Sequence, residues 1–221
     1  MPQTSRKPIQ AFLSYSSADR KFCAGFKYAL EVYGADVFLA HQDISPSVEW
    51  QNTILRHLRT CDVFIPILTA RFAASAWTDQ ESGIAFAGRK CILPVALGQM
   101  PYGFLSRYQA IKGRRRAPHQ IAFDLFKGLT RQKPLRNRLR ETIIKALLDI
   151  QSYDDAGDVF SVLAMLSPFS ARQLDLIYKA AISNRQIHQA RSFVAPFGDI
   201  VGRNQSRMNP RLNARLIDVR P

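Results

Sequence analysis

The amino-acid sequence predicts an α/β protein with a parallel β-sheet, followed by an all-helical region. In the first half of the 221-residue chain, apolar runs typical of buried strands alternate with segments of helical periodicity. After about residue 117, apolar residues recur only at helical spacing. Because parallel strands need a crossover between them, this alternation predicts right-handed helical connections and a parallel sheet.

The predicted strands are nearly unbroken apolar runs, which are typical of strands covered by helices on both faces. They lie at residues 9–13, 36–39, 61–68 and 91–97, with a short fifth strand at 108–111. The loops at 14–17, 40–47 and 69–77 leave the carboxyl ends of the first three strands. Parallel sheets bind ligands at that edge, so we expect a pocket where these loops meet.

The helices between the predicted strands show apolar residues spaced by three or four positions. The first helix ends at Gly34, a residue type common at helix C-termini. The second begins at Trp50, whose spacing from Ile54 and Leu58 predicts that this tryptophan lies in the core. The third helix contains Glu81 and leads into the fourth strand.

The second half of the chain carries only helical patterns. Pro134 is suited to the start of one helix and Ser170 to the cap of another. Residues 198–221 hold five arginines and few large apolar residues, which predicts a loosely packed end or a docking tail. We therefore divide the chain into an α/β domain at 1–117 and a helical module at 118–221, with oligomerisation or sensing as the role of the module.

Composition argues against several classes of protein. Cys23, Cys61 and Cys91 are an odd number without close pairs, which predicts buried, reduced thiols. The four histidines lack ligand spacing to a cysteine or to each other, so we expect no metal site. No apolar run is long enough to span a membrane, and none follows the basic N-terminus, so we expect a cytoplasmic protein.

The chain has a formal net charge of +14, and its sharpest basic cluster runs from Lys112 to Arg116. Such a charge favours an anionic partner, which includes nucleic acid, a membrane surface and a phosphorylated small molecule. The simpler interpretation is a solvated basic face. No aromatic residues interleave with the cluster, which weighs against single-stranded nucleic acid, so a nucleic-acid partner is not favoured.

The clearest chemical signal is a carboxylate on the apolar face of a helix. Glu81 lies one helical turn after Trp77, and Ile84 and Ala85 follow one turn later. Ionisation on this stripe costs solvation free energy unless a partner or a ligand compensates. Glu81 is therefore the first candidate for a catalytic residue, and a local cap or an ion pair with a basic residue is the structural alternative.

Several nucleotide-binding and hydrolytic motifs are missing from the sequence. It contains no G-x-G-x-x-G after a strand, no G-x-x-x-x-G-K-[ST], no G-x-S-x-G and no His-Glu zinc helix. A dinucleotide-binding fingerprint and a P-loop are thus excluded. A nucleotide substrate would have to bind by another route.

Four segments occur in an order that resembles the Toll/interleukin-1 receptor (TIR) domain, in its bacterial form. They are residues 12–19 (FLSYSSAD), residues 37–39 with Asp43-Ile44 after them, residues 61–68 (CDVFIPIL), and Ser75-x-Trp77-x-x-x-Glu81. The resemblance covers about residues 7–115 and implies a flavodoxin-like five-stranded parallel sheet. The helical remainder looks like an extension carried by some bacterial TIR proteins.

The resemblance implies one of two functions. Many bacterial and plant TIR domains cleave NAD+ at the nicotinamide–ribose bond, which releases nicotinamide and ADP-ribose or a cyclised product. Others are non-enzymatic adaptors, which includes virulence factors that engage the TIR domains of a host. The catalytic glutamate of the enzymes matches Glu81, and NAD+ would be a substrate rather than a cofactor. Thr78 departs from the family pattern, which often has cysteine after the tryptophan.

The chemistry of NAD+ cleavage calls for a carboxylate and not for a general acid. Nicotinamide is a cationic leaving group, and the ribose gains oxocarbenium character as the bond breaks, as in glycoside cleavage. A nearby carboxylate can hydrogen-bond the ribose hydroxyls and offset the developing charge. Glu81 is predicted to do both.

The predicted substrate-binding residues surround Glu81 at the carboxyl edge of the sheet. They are Ser14, Tyr15, Ser16, Phe38, Asp43 and Trp77. Tyr15 and Trp77 would stack on nicotinamide or adenine and Phe38 would line the pocket, although core positions suit all three rings as well. The two serines would bind ribose or cap a helix, and Asp43 would contact the ligand or occupy a solvated turn.

Assembly is part of the predicted function. The loop from Ala40 to Ser47 matches the BB loop of the family, which mediates self-association and gates the site. We expect activity when the protein clusters, with the helical module as the receiver of an unidentified trigger. Bacterial antiphage immunity is the predicted setting.

Overall fold

The centre of the molecule is a parallel β-sheet, as the sequence predicts. The computed structural model describes residues 7–39 and 50–207. The strands are β1 (Gln10–Ser14), β2 (Asp36–Leu39), β3 (Val63–Leu68), β4 (Cys91–Ile92), β5 (Val95–Ala96) and β6 (Ile111–Lys112). Their order is β2-β1-β3-β5-β6, β4 also pairs with β3, and every pairing is parallel. The predicted parallel sheet is therefore confirmed.

The predicted fourth strand is interrupted in its middle. Both β4 and β5 lie beside β3, with Val63 opposite Cys91 and Leu68 opposite Ala96. Pro94 stands between the two pieces and has no amide hydrogen for the ladder. The pair thus fills one position of the sheet, which keeps five strand positions in all among the described residues.

Two layers of helices cover the two faces of the sheet. The helices of the α/β region are α1 (Arg20–Glu31), α2 (Trp50–Thr60), α3 (Ala70–Ala73), α4 (Ala76–Ala87) and α5 (Pro118–Leu129). Because side chains alternate along a strand, Ala11 and Leu13 pack towards α1 and α5, whereas Phe12 packs towards α2 and α4. Glu81 belongs to the α2 and α4 layer.

The remaining described α-helices belong to the helical module, whose predicted range of 118–221 also includes α5. They are α6 (Arg136–Ala146), α7 (Tyr153–Ala164), α8 (Ala171–Ser183), α9 (Arg185–His188) and α10 (Val194–Asn204). Ser170 caps α8 through a capping box with Gln173, as predicted. Apolar residues of this module share one buried cluster with those beneath α1 and α5, and the domain boundary at residue 117 stays a prediction.

The predicted loose packing of the C-terminal end does not hold for its described part. Residues up to Asn204 belong to α10, where Ile200 and Asn204 are fully buried. The side chain of Asn204 accepts a hydrogen bond from the amide of Phe169 at 2.8 Å and so closes the module. Residues 208–221 lie outside the described part of the chain.

Helix α6 is fastened to the amino end of the sheet. The amide of Ile9 donates to Thr142 Oγ1 at 3.1 Å, and Arg138 donates to the carbonyls of Lys7 and Pro8 at 3.0 and 2.9 Å. The same guanidinium pairs with Asp62 at 2.6 Å. The helical module is therefore held by hydrogen bonds and charge as well as by apolar packing.

Two further findings bear on predictions from composition. Cys23 and Cys61 are buried and Cys91 is half-buried, and all three are free thiols. Of the helices that the structure describes, none has both the length and the apolar character needed to span a lipid bilayer.

Candidate active site

Contacts between two loops hold the carboxyl edge of the sheet. Thr69 follows β3 and caps α3, where its hydroxyl accepts from the amide of Phe72 at 3.1 Å. That hydroxyl also donates to Asp19, in the turn after β1, at 2.7 Å. Arg71 donates to the other carboxylate oxygen of Asp19 at 3.1 Å. The loops that follow β1 and β3 are thereby fixed relative to each other.

A tight corner between α3 and α4 sets the direction of α4. The Ser75 hydroxyl caps α4 by accepting from the amide of Thr78 at 3.5 Å. The Thr78 hydroxyl donates to the carbonyls of Phe72 and Ser75 at 2.7 and 2.8 Å. Thr78 is buried, so the residue that departs from the family pattern has a structural role in the corner. Glu81, almost one turn later, faces β1.

Glu81 is only 2% exposed, and each of its carboxylate oxygens accepts a hydrogen bond. Ser14 Oγ, at the end of β1, donates to Oε2 at 2.5 Å. Trp77 Nε1, one turn earlier on α4, donates to Oε1 at 2.9 Å. Both donors are neutral, and no lysine or arginine among residues 7–39 and 50–207 forms an ion pair with Glu81. The alternative of a structural ion pair is not supported there.

Burial makes Glu81 an unusually weak acid. The pKa of its carboxyl group is raised from 4.5 to about 7. Loss of solvent raises the pKa, and this effect outweighs the hydrogen bonds from Ser14 and Trp77, which lower it. The carboxyl group is therefore divided between its neutral and ionised forms near neutral pH. A pKa close to the working pH is typical of catalytic acids and bases.

This arrangement leaves the carboxylate able to bind further groups. A carboxylate oxygen can accept two hydrogen bonds, so each oxygen of Glu81 retains capacity after its bond to Ser14 or Trp77. In a site of low dielectric constant, its charge interacts more strongly with a nearby positive centre than it would in water. A carboxylate in such an environment is chemically suited to accept hydroxyl hydrogens and to stabilise a developing cation.

Trp50 differs from its predicted place in the core. Its side chain is 44% exposed, whereas Ile54 and Leu58 on the same helix are fully buried. Trp50 is the first residue of α2 and lies against Trp77, with 4.5 Å between the ring centroids and an angle of 46° between the planes. The spacing of these residues predicted the buried face of α2 correctly but not where that face ends.

Strand alternation separates two of the predicted substrate-binding residues. Ser14 lies on the face of β1 that turns towards α4, where it reaches Glu81. Tyr15 is buried in the apolar cluster beneath α1 and α5 on the opposite face. Its predicted contact with a ligand at Glu81 does not fit this placement, because Tyr15, one residue past the end of β1, packs on the same face as Ala11 and Leu13.

The other predicted residues have mixed outcomes. Phe38 is buried on the Glu81 side of the sheet, where its ring lies 3.7 Å from that of His57 and 5.4 Å from that of Phe12, so the core alternative describes it. Ser16 is half-buried, and its hydroxyl makes no capping hydrogen bond to the turn that follows. Asp43 lies outside the described residues, as does the loop from Ala40 to Ser47.

Several arginines bind groups of the protein itself. Arg136 donates to three backbone carbonyls, and Arg140 donates twice to that of Leu166. In the basic cluster after β6, Arg116 pairs with Asp124 at 2.8 Å. A positive net charge therefore does not by itself identify an anion-binding surface here.

Two cavities lie away from Glu81, between α1 and the helical module. Their volumes are about 420 and about 350 Å³, and both are lined by Tyr28, Val32 and Asp155. In the described part of the chain, no group of three or more His, Cys, Asp or Glu residues could hold a metal ion. The candidate site is therefore assigned from the chemistry of Glu81 and not from the size of a cavity.

A family model and a solved structure are similar to this chain. The TIR domain family model matches residues 11–126, which include both Ser14 and Glu81. Among solved structures, the TIR domain of the Toll-related receptor TRR-2 of Hydra magnipapillata is similar, with a TM-score of 0.44, 16% identity, and coverage of 60% of this chain and 98% of that one. No curated protein matches the chain. Because the family model spans more than half of its residues, the chain belongs to the TIR domain family.

Proposed function

We propose that this TIR protein cleaves NAD+ at the bond between nicotinamide and ribose, with Glu81 as the catalytic carboxylate. The observation that carries the proposal is a buried carboxylate whose two hydrogen-bond donors are both neutral. A buried carboxylate kept for structure is normally paired with a cation, because an unpaired charge is costly. The charge of Glu81 is instead kept for a positive group that arrives with the substrate.

The reaction needs little from the protein beyond that charge. The bond between ribose C1′ and the pyridinium nitrogen breaks, and its electron pair stays on nitrogen, so nicotinamide leaves as a neutral molecule. The ionised Glu81 accepts hydrogen bonds from the ribose hydroxyls and stabilises the positive charge that appears on the sugar. Water then attacks C1′ and loses a proton to give ADP-ribose, or a ring nitrogen of the adenine attacks to give a cyclic product.

The activity is proposed to depend on assembly. TIR domains commonly self-associate, and the loop from Ala40 to Ser47, which lies outside the described residues, is the proposed contact. The helical module is fastened to the amino end of the sheet, so an event at the module reaches the α/β domain through α6. A role in bacterial antiphage immunity and a cytoplasmic location belong to this proposal as expectations.

Nicotinamide release tests the proposed function directly. Purified protein, dilute and concentrated, is incubated with NAD+, and nicotinamide is quantified by chromatography. Wild type is expected to release nicotinamide when concentrated, and Glu81→Gln is expected to lose at least about 10²-fold in rate. Glu31→Gln is the matched control, because Glu31 is exposed on α1 and is expected to leave the rate unchanged. Equal rates for Glu81→Gln and wild type would contradict the proposal.

A non-enzymatic scaffold is the second candidate function, and an aromatic pair at the surface favours it. Phe104 is 62% exposed and stacks on Phe86 of α4 with 4.8 Å between the ring centroids. Surface patches of this kind are typical of protein contacts. A protein that self-associates through this patch but releases no nicotinamide at any concentration would be a scaffold. Phe104→Glu is then expected to weaken the self-association measured by analytical ultracentrifugation.

A further inference from the structure

We propose that Ser14 and Trp77 are positioning residues that hold the carboxylate of Glu81 in one orientation, and that Trp50 braces the indole ring of Trp77. The proposal rests on the proposed function, since it assigns how Glu81 is presented to the substrate. It differs from the sequence-based expectation in which Trp77 stacks on a ring of NAD+. The indole N–H is directed at the protein's own carboxylate.

The two hydrogen bonds fix the carboxylate from two sides. Ser14 belongs to β1 and Trp77 to α4, and each donates to a different oxygen of Glu81. The terminal torsion of a glutamate side chain is intrinsically broad, so a single donor would leave the group free to rotate. With one donor on each oxygen, the remaining lone pairs point in fixed directions. Preorganisation of this kind lowers the cost of binding the reacting sugar.

Trp50 completes the arrangement from the outside. Its ring lies 4.5 Å from that of Trp77, and it reaches that position from the first turn of α2. Trp77 itself is half-buried, so without Trp50 one side of its ring would lose a packing partner. Aromatic contacts at this distance contribute to stability beyond the area they bury. Trp50 thus keeps the indole N–H aimed at Glu81.

Other charged groups near this layer are engaged with partners of their own. On α4, Asp79 accepts from Tyr102 at 2.7 Å, and in the turn after β1, Asp19 accepts from the loop after β3. On α2, His57 stacks on the core, and after β5, Arg107 lies over aromatic rings. The ionisation of Glu81 is set by burial, which raises its pKa, and by the Ser14 and Trp77 hydrogen bonds, which lower it.

The composition of the chain suits a direct spectroscopic test. The chain contains four glutamates and two tryptophans. Carbon-13 labelling of the glutamate carboxyl groups therefore gives a simple spectrum, and Glu81→Gln identifies the signal of Glu81. Nitrogen-15 labelling of the indoles gives two signals, which belong to Trp50 and Trp77. Both spectra are recorded across the pH range without any substrate.

Two variants each remove one donor. Ser14→Ala deletes the hydroxyl, and Trp77→Phe deletes the indole N–H but keeps an aromatic ring. Because each donor stabilises the ionised form, each variant is expected to raise the midpoint of the Glu81 titration by roughly half to one pH unit. Ser82→Ala is the matched control, since Ser82 is buried on the same helix but donates to the carbonyl of Thr78. Its midpoint is expected to equal that of wild type.

The same variants give a kinetic signature that a purely structural role would not give. If the midpoint moves from about 7 to about 8, the ionised fraction at pH 7 falls about fivefold, and nicotinamide release at that pH falls with it. At pH 8.5 the rate is expected to recover most of this fivefold loss, and the loss that remains measures the disturbed orientation of the carboxylate. A loss that is equal at all pH values would show that the two hydrogen bonds do not set the ionisation of Glu81 and would overturn this inference.

The outcomes separate this inference from the proposed function. Raised midpoints in Ser14→Ala and Trp77→Phe, with no nicotinamide release by wild type, would support the hydrogen-bond roles and overturn the proposed function alone. Unchanged midpoints in both variants would overturn the inference, whatever the activity. For the brace, Trp50→Ala is expected to speed exchange of the Trp77 indole proton with water about tenfold, and an unchanged exchange rate would refute it.

Discussion

Two carboxylates at opposite ends of the same sheet differ in the partners that the fold gives them. Asp62, at the amino end, pairs with Arg138 at 2.6 Å and also accepts from the amide of Gln10 at 2.8 Å. Glu81, at the carboxyl end, is more deeply buried, and within residues 7–39 and 50–207 its partners are the neutral side chains of Ser14 and Trp77. Asp62 is thus paired with a cation in the fold, whereas the proposed function assigns Glu81 to chemistry.

At the amino end of the sheet, hydrogen bonds hold the helical module in place. Arg138 and Thr142 of α6 satisfy backbone groups that would otherwise be left open where the chain enters β1. The carboxyl end instead carries a charge that the described residues do not neutralise. The fold thus pairs the carboxylate at one end of the sheet with a cation and tolerates a costly buried carboxylate at the other.

Removal of the cation at the amino end is expected to have the largest effect on stability. Arg138→Ala leaves Asp62 without its charged partner and exposes the carbonyls of Lys7 and Pro8, so the free energy of unfolding is expected to fall by about 3 kcal/mol. Arg203→Ala is the control, since its pair with Asp199 is exposed and is expected to contribute less than about 0.5 kcal/mol. Urea denaturation measures both, and equal effects would show that the pair of Arg138 with Asp62 contributes no more than an exposed ion pair.

Gly34 also lies at the amino end of the sheet and tests how closely α6 is fitted there. Its φ is +81°, and a Cβ atom there would lie 2.8 Å from the carbonyl oxygen of Thr142. Gly34→Ala is therefore expected to cost about 2 kcal/mol of unfolding free energy, through backbone strain and displacement of α6. Gly198→Ala, in α10 with nothing within 4 Å of its Cβ, is expected to be neutral or slightly stabilising. A tolerated Gly34→Ala would show that α6 is not tightly fitted to the sheet.

The cost of the buried carboxylate is measurable in the unfolding free energy. Because burial raises the pKa of Glu81 to about 7, the folded protein binds the proton of this carboxyl group more tightly than the unfolded chain does. The stabilisation that comes from the bound proton is therefore fully present below the ordinary pKa of 4.5, and it is lost as the pH rises to about 7. Glu81→Gln is expected to gain about 2 kcal/mol relative to wild type between pH 5 and pH 8. Urea titrations at both pH values check this gain.

The sequence predicted the sheet and the burial of Glu81 because both depend on local patterns. Unbroken apolar runs identified the strands, and the spacing of Trp77 and Glu81 placed the carboxylate on the buried side of α4. The partners of Glu81 needed more than a local pattern. Ser14 was predicted as a ligand of the sugar, and its hydrogen bond to Glu81 spans 67 positions of the chain.

The errors have physical causes of the same kind. Tyr15 was predicted beside the ligand because it neighbours Ser14 in the sequence, but its side chain, one residue past the end of β1, lies in the apolar cluster on the other face of the sheet. Trp50 was predicted in the core, but the first residue of α2 lies at the limit of the buried face. The contacts of Arg138 with Lys7, Pro8 and Asp62 had no signal in the sequence, because they join segments that are more than 70 positions apart.

The pH dependence of nicotinamide release tests the central claim most directly. If the ionised form of Glu81 carries the reaction and its pKa is about 7, the initial rate of concentrated wild-type protein is expected to rise about tenfold from pH 6 to pH 8 and then level off. Self-association is monitored at each pH, so that a change in assembly is not mistaken for ionisation. A rate that is constant across this range, or that falls as the pH rises, would contradict the account.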